Sequence, residues 1–282
     1  MEIVKTIADL RLAIKNMRAN GESLAFVPTM GNLHAGHLKL VAEAQNSADR
    51  VVVSIFVNPT QFGEGEDFET YPRTEADDKE KLQAAGVNLL FLPSVAEMYS
   101  AKATTLISVK NLANLHCGLT RPGHFDGVAT VVCKLFNMVQ PNMAFFGQKD
   151  FQQLAVIRTM VSDLNIPVDI KSVATARESN GLALSSRNGY LSPNELQIAP
   201  KLYQALCAAR DAVLANLKPY NVIETDAKAF LQNLNFLPDY FSICRSTDLQ
   251  KAEKTDVDVV ILAAAKLGKT RLIDNIYFSV ER

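Results

Sequence analysis

A basic surplus is missing from this 282-residue chain: 29 Lys and Arg stand against 30 Asp and Glu, for a net charge of −1. Nucleic acid is therefore not an expected partner, and no polybasic run invites an anionic membrane. Long apolar runs are missing too. No stretch approaches the roughly 18 apolar residues that a membrane-spanning helix needs. The opening "MEIVKTIADLRLAIKNMRANG" has neither a basic leader nor a continuous apolar core, so no signal peptide is expected. Cysteine is scarce. Cys117, Cys133, Cys207 and Cys244 are scattered with no CxxC pair, which points to reduced, mostly buried thiols in a cytoplasmic protein. There is no GxSxG and no GxxxxGK[ST] loop. The chemistry expected is thus charge stabilisation, without a covalent enzyme intermediate. No internal repeat and no low-complexity linker occurs.

What is present is a globular composition, 48% hydrophobic and 21% charged, on a chain long enough for a sizeable core. "SLAFVPTM", "GHLKLVAEAQNSA" and "RVVVSIFVN" read as strand, helix and strand, the size of one βαβ unit. The strands are apolar almost throughout, as expected where helices cover both faces of a parallel sheet. The alternation continues. "TEADDKEKLQAAG" reads as a helix ended by Gly86 and "VNLLFLP" as a strand; "GVATVVCKLFNMV" and "MAFFG" repeat the pattern, as do "DFQQLAVIRTMVSDLN" and "PVDIKSVAT". The N-terminal residues Ile7, Leu10, Leu12, Ile14 and Met17 recur at roughly helical spacing. Residues 1–175 are therefore expected to form a doubly wound, Rossmann-like α/β domain. Beyond them, Ser192 and Glu195 form a capping box that opens one long helix, and a second helix covers residues 222–234. Three strand-like runs follow, so residues 176–282 are expected to form a small α+β domain closing over the site.

In an open α/β sheet, ligands bind beyond the carboxyl ends of the strands. Four polar tips lie there. The first, "PTMGNLHAGHLKL", holds two of the four histidines, His34 and His37, where a strand gives way to a helix. At the first helical turn such residues share a face with exposed N–H groups and the positive end of the helix dipole, a setting for phosphate. Gly36 lets a ligand approach the backbone. An H-x-x-H metal pair is the rival, but no third ligand of the usual kind lies nearby. The second tip carries Gln61. The third, "FFGQKDFQQ", carries Lys149 and Asp150, suited to polyphosphate and to a ribose hydroxyl, although Asp150 would serve equally as a helix N-cap. The fourth, "LSSRN", offers two hydroxyls and Arg187, or else only a polar turn. "RPGHFDGV" places Arg121 and His124 in a glycine-rich loop, either a lid or a surface turn.

"PTMGNLHAGH", "SIFVNPTQF", "YPRT", "RPGHFDGV", "KLFN", "FGQKDFQQL", "GLALSSRNGYL" and "LGKTRLIDN", in that order, resemble the pantoate–β-alanine ligase family of the HxGH nucleotidyltransferase superfamily. The resemblance runs over residues 23–276. It implies ATP-dependent joining of (R)-pantoate to β-alanine, through a pantoyl adenylate, with release of pyrophosphate and AMP. It implies ATP binding by Met30, Gly31, Asn32, Leu33, His34, Ala35, Gly36 and His37, by Gly147, Gln148, Lys149 and Asp150, and by Ala176, Leu184, Ser185, Ser186 and Arg187. His37, His34 and Lys149 would be catalytic, with His37 as proton donor. Gln61 and Gln153 would hold pantoate, and Gln61 would also lie beside β-alanine. Mg²⁺ would travel with ATP; its protein ligands are unassigned, with Asp77 and Asp78 weak candidates. The family implies a homodimer formed through the N-terminal domain. Asn180, Cys117 and Thr60 stand where Asp, Glu and Met are expected. Two alternatives stay open: a nucleotidyltransferase acting on another small acid or phosphate, and a non-catalytic nucleotide sensor.

Overall fold

The computed structural model describes residues 1–281. Its first 175 residues build a six-stranded parallel sheet from β1 (Glu2–Val4), β2 (Leu24–Thr29), β3 (Arg50–Ile55), β4 (Leu89–Phe91), β5 (Met143–Gly147) and β6 (Asp169–Val173). The order across the sheet is β1-β4-β3-β2-β5-β6. Connections after β2 run toward one edge and those after β5 toward the other, so the strand order reverses between these two neighbours. A crevice opens at such a reversal, at the carboxyl ends of the strands.

The strands alternate along their length, as a two-residue period requires. Leu24, Phe26, Val52, Leu89, Phe91, Ala144 and Phe146 point to one face, under α1 (Ile7–Ala19), α7 (His124–Val139) and α8 (Phe151–Asp163). Ala25, Val27, Val51, Val53, Leu90 and Phe145 point to the other, under α2 (Ala35–Gln45) and α3 (Glu75–Ala84). Phe26 and Phe91 are fully buried, worth roughly 1.5–3 kcal/mol each. Between α3 and α7 lie three single-turn helices, α4 (Val95–Met98), α5 (Lys110–Ala113) and α6 (Cys117–Thr120). Of the spaced N-terminal residues, Leu10 and Ile14 enter the core, whereas Leu12 is exposed.

The capping box at Ser192 and Glu195 forms, but the long helix expected after it does not. It divides into α9 (Pro193–Ile198) and α10 (Lys201–Leu214), because Pro200 has no N–H to continue the ladder. α11 (Tyr220–Gln232) precedes an antiparallel meander of β7 (Phe236–Arg245), β8 (Asp258–Leu267) and β9 (Thr270–Ser279). One face of this sheet packs on α10 and α11 through Phe241, Ile261 and Ala263. From the other face Cys244, Val260 and Leu262 join the core of the N-terminal layers. The small sheet is therefore buried on both sides. Two thiols, Cys117 and Cys244, are buried, while Cys133 and Cys207 are only half-buried; all four are free. No described helix is long and apolar enough to cross a membrane.

Candidate active site

The histidine turn is built as a reciprocal cap. His34 is the N-cap of α2, and its Nδ1 accepts from the Gly36 N–H at 3.1 Å. His37 reaches back, and its Nδ1 accepts from the His34 N–H at 3.3 Å. The two rings lie 4.1 Å apart. Both Nδ1 atoms are thus acceptors, which leaves each proton on Nε2. Gly36 is fixed by this packing, since a β-carbon there would lie 2.9 Å from His34 Cε1. Burial, and then the charge of Lys149, hold His34 down to about 4. Burial, and then the charges of His34 and Lys149, hold His37 down to about 3. Near neutral pH both rings are uncharged hydrogen-bond donors.

The loop before this turn is tied from below. Asp78, buried on α3, accepts from the N–H groups of Asn32 and Leu33 at 2.8 and 2.7 Å, and from Thr74 Oγ1 at 3.1 Å. Lys81 donates to the Leu33 carbonyl at 2.8 Å. Asp78 is accordingly an anchor of the loop backbone. No group of three or more His, Cys, Asp or Glu residues able to hold a metal ion assembles among the described residues.

Gln61 is buried and oriented from both ends. Asn58 Nδ2 donates to Gln61 Oε1 at 3.0 Å, and Gln61 Nε2 points to Met30 Sδ at 3.2 Å. Its carbonyl meets His124 Nδ1 at 2.8 Å and Arg121 Nη2 at 3.4 Å. "RPGHFDGV" therefore begins as an exposed turn at Pro122 and Gly123 and runs into a helix start tied to the Gln61 backbone. His124 opens α7, and Gly127 admits the Thr60–Gln61 backbone so closely that a β-carbon would lie 2.4 Å from the Thr60 carbonyl oxygen.

Lys149 and Asp150 sit in a short 3₁₀ turn after β5, with Nζ 3.9 Å from Asp150 Oδ1. Asp150 occupies the N-cap position of α8 but makes no capping hydrogen bond. The turn is held by Asn275 of β9, which donates to the carbonyls of Gln148 and Lys149 at 2.9 and 2.8 Å. Beside it Asp274 forms a two-point ion pair with Arg177, at 2.6 and 2.9 Å. In the fourth tip, Leu184 N–H donates to the Ala176 carbonyl at 2.9 Å, Ser185 caps the Arg187 N–H, and Ser186 Oγ donates to the Asn32 carbonyl at 3.3 Å. Arg187 is held by Asp67.

These tips converge on two adjoining cavities. The smaller, of about 230 Å³, is lined by Met30, His34, Gly36, His37, Gln61, Gly147, Lys149, Asp150, Gln153, Ala176, Leu184, Ser185, Ser186 and Arg187, with an apolar wall from Phe56, Val128, Val131, Val132 and Leu135. The larger, of about 690 Å³, shares Met30, Gln61, Lys149, Asp150, Gln153, Ser185 and Arg187. Gly31, Asn32, Leu33, Ala35 and Gln148 line neither cavity; Leu33 is buried in the core beneath the loop. Asn58, Asp67, Asp78, Asp274 and Asn275 support the site and were not legible as such in the sequence. An Asn before Pro59 and the "LIDN" run were the only local signals. Thr60 donates to Asn58 Oδ1 at 3.0 Å, Cys117 Sγ lies 2.9 Å from Tyr240 Oη, and Asn180 accepts from the Leu182 N–H at 3.0 Å. All three unexpected residues lie outside the histidine turn.

Known proteins fit this arrangement closely. The family model for pantoate-beta-alanine ligase matches residues 2–277. The chain is 55% identical over 278 residues to a pantothenate synthetase of Stutzerimonas stutzeri strain A1501, covering 98% of this chain and 97% of that protein. It is 52% identical over 283 residues to the pantothenate synthetase of Pseudomonas entomophila strain L48, covering 100% and 99%. Among solved structures, pantothenate synthetase from Thermus thermophilus superposes with a TM-score of 0.92 at 45% identity, covering 98% of this chain and 99% of that one. A pantoate-beta-alanine ligase from Francisella tularensis, complexed with beta-gamma ATP and beta-alanine, superposes with a TM-score of 0.82 at 35% identity, covering 98% and 97%. With its crevice, histidine turn and paired cavities in one place, and with matches along nearly its whole length, the chain belongs to the pantoate–β-alanine ligase family.

Proposed function

We propose that this chain joins (R)-pantoate to β-alanine using ATP, and releases AMP and pyrophosphate by way of a pantoyl adenylate. A carboxylate is a poor acyl donor, and adenylation supplies its leaving group. The observation that carries the proposal is the pair of imidazoles whose Nδ1 atoms are both taken by backbone N–H groups, so that both Nε2–H edges are donors beside Lys149. Such preorganised donors meet charge that grows on the phosphates as pyrophosphate leaves. His34, His37, Lys149 and Arg187 serve the triphosphate. Ligand phosphate would raise the pKa of His37, so any proton donation by that ring belongs to the loaded enzyme.

The smaller cavity suits pantoate. Its apolar wall takes the branched carbon skeleton, and Gln61 and Gln153 bind the hydroxyl and carboxyl groups. β-Alanine enters through the larger cavity, next to Gln61. Magnesium arrives as the metal–ATP co-substrate, carried by the phosphates. The division into residues 1–175 and 176–282 is supported by a separate apolar cluster that begins at Leu182. The chain works in the cytoplasm as a homodimer formed through residues 1–175, which light scattering on the purified chain would check.

The test follows AMP and pyrophosphate with ATP and pantoate, with and without β-alanine. The ligase releases AMP stoichiometrically only when both acids are present. Pyrophosphate released over many turnovers without β-alanine, with a free adenylylated product accumulating, identifies the nucleotidyltransferase alternative, and absence of turnover identifies the sensor.

A further inference from the structure

Two adjacent carboxylates on one loop, Glu66 and Asp67, each grip an arginine from a different part of the cleft. Glu66 binds Arg121 through Nε and Nη2, both at 2.6 Å. Asp67 binds Arg187 through Nε at 2.9 Å and Nη2 at 2.8 Å. The loop that carries them is packed on itself: Phe62 meets Phe68 and Tyr71 edge-on, with ring centroids 5.3 and 5.9 Å apart. Arg73 ties the far end by donating to the Phe68, Glu69 and Tyr71 carbonyls at 3.1, 3.1 and 3.2 Å.

The two arginines differ in what they have left to give. Arg121 uses the rest of its fork inside the protein, with Nη1 at 3.0 Å from His124 Nε2 and Nη2 also at 3.4 Å from the Gln61 carbonyl. Arg187 is held along one edge only, and its Nη1 makes no hydrogen bond within the described residues. Its side chain lines both cavities. A guanidinium gripped side-on by a carboxylate is fixed in plane and keeps its outer N–H groups free for a second anion.

We propose that Asp67 is a positioning residue for adenylation: it holds Arg187 side-on, so that Nη1 and the outer edge of Nη2 are presented to the triphosphate of ATP. The packed loop of residues 62–73 is the brace that keeps Asp67 in place. This rests on Arg187 being a triphosphate partner. Asp67 itself touches no substrate and acts through the guanidinium.

A double-mutant cycle tests it, with steady-state kinetics and melting temperature measured for wild type, Asp67→Asn, Arg187→Gln and the double variant. Asp67→Asn should lower kcat/KM for ATP about tenfold, the size of a lost charge-assisted hydrogen bond, while the KM for pantoate stays near wild type. In the Arg187→Gln background the same change should cost less than about twofold, because its target is gone. Equal costs in both backgrounds would make Asp67 merely structural and overturn the proposal. So would an ATP kcat/KM for Asp67→Asn within about twofold of wild type, or a loss that falls on pantoate instead. If Arg187→Gln alone leaves ATP kinetics intact, the assignment of Arg187 fails; if Arg187→Gln is crippled and Asp67→Asn is neutral, only the positioning role fails. Should Arg187→Gln not fold, Arg187→Lys closes the same cycle.

Discussion

Asn275, midway along β9, donates from one side-chain amide to the main-chain carbonyls of both Gln148 and Lys149. A strand of the C-terminal sheet therefore sets the turn that presents Lys149, about 126 residues earlier in the chain. Asn275→Ala leaves two carbonyls without this donor, at roughly 1–3 kcal/mol for unsatisfied groups. Asn275→Asp adds a carboxylate facing two carbonyl oxygens and should be at least as damaging. Both variants are expected to lower the melting temperature and to slow adenylation more than they weaken pantoate binding. Wild-type adenylation by Asn275→Asp would contradict the link.

His37→Ala should cripple adenylation and leave the fold in place. It removes one transition-state donor, worth on the order of 10²–10³-fold in rate. It also frees the His34 N–H at the first turn of α2, which lies at the surface of the cleft. A single-turnover rate within about threefold of wild type, in a variant that melts normally, would count against the donor role.

How far these roles were legible in the sequence depends on distance along the chain. His34 and His37 cap one turn through neighbours two or three residues away, so their spacing was enough to place them. The strand–helix alternation likewise betrayed the parallel sheet, because its inner strands bury both faces. Asp78, Asp67 and Asn275 act on backbone or side chains 45, 120 and 127 residues away. No local pattern encodes such a pairing, and an acidic run in "GEGEDFET" reads as a solvated loop. The break between α9 and α10 had a visible cause in Pro200, but the capping box ahead of it drew the helix through.

Gln61→Ala should separate the substrates. Gln61 is tied to Asn58 and Met30 and makes no hydrogen bond to the Arg187 turn among the described residues. Its loss removes a hydrogen bond to pantoate, roughly 1–3 kcal/mol if the partner is left unpaired. The expected result is a raised KM for pantoate with ATP affinity nearly unchanged. Equal losses for both substrates would make Gln61 a structural residue.

Stability should fall on the acid side in a defined window. Burial holds His34, His37 and His124 to about 4, 3 and 4, against 6.5 for a free imidazole. Below 6.5 the unfolded chain takes up protons that the folded chain refuses, so the unfolded state binds more protons and stability falls as pH falls. The melting temperature should be level above about pH 7 and decline progressively toward pH 4. His34→Gln should flatten part of that decline. A level profile down to about pH 4.5 would show that these rings are not held neutral.

The central claim is that adenylation precedes, and does not need, β-alanine. Rapid-quench single turnover with enzyme in excess over ATP, plus pantoate and no β-alanine, measures it directly. The expected result is release of about one equivalent of pyrophosphate with a pantoyl adenylate retained, which yields pantothenate and AMP once β-alanine is added. Lys149→Ala should slow the first phase by on the order of 10²-fold, yet use preformed adenylate with much of the wild-type rate. No pyrophosphate before the amine is added, from enzyme that turns over fully once it is present, would contradict the two-step account.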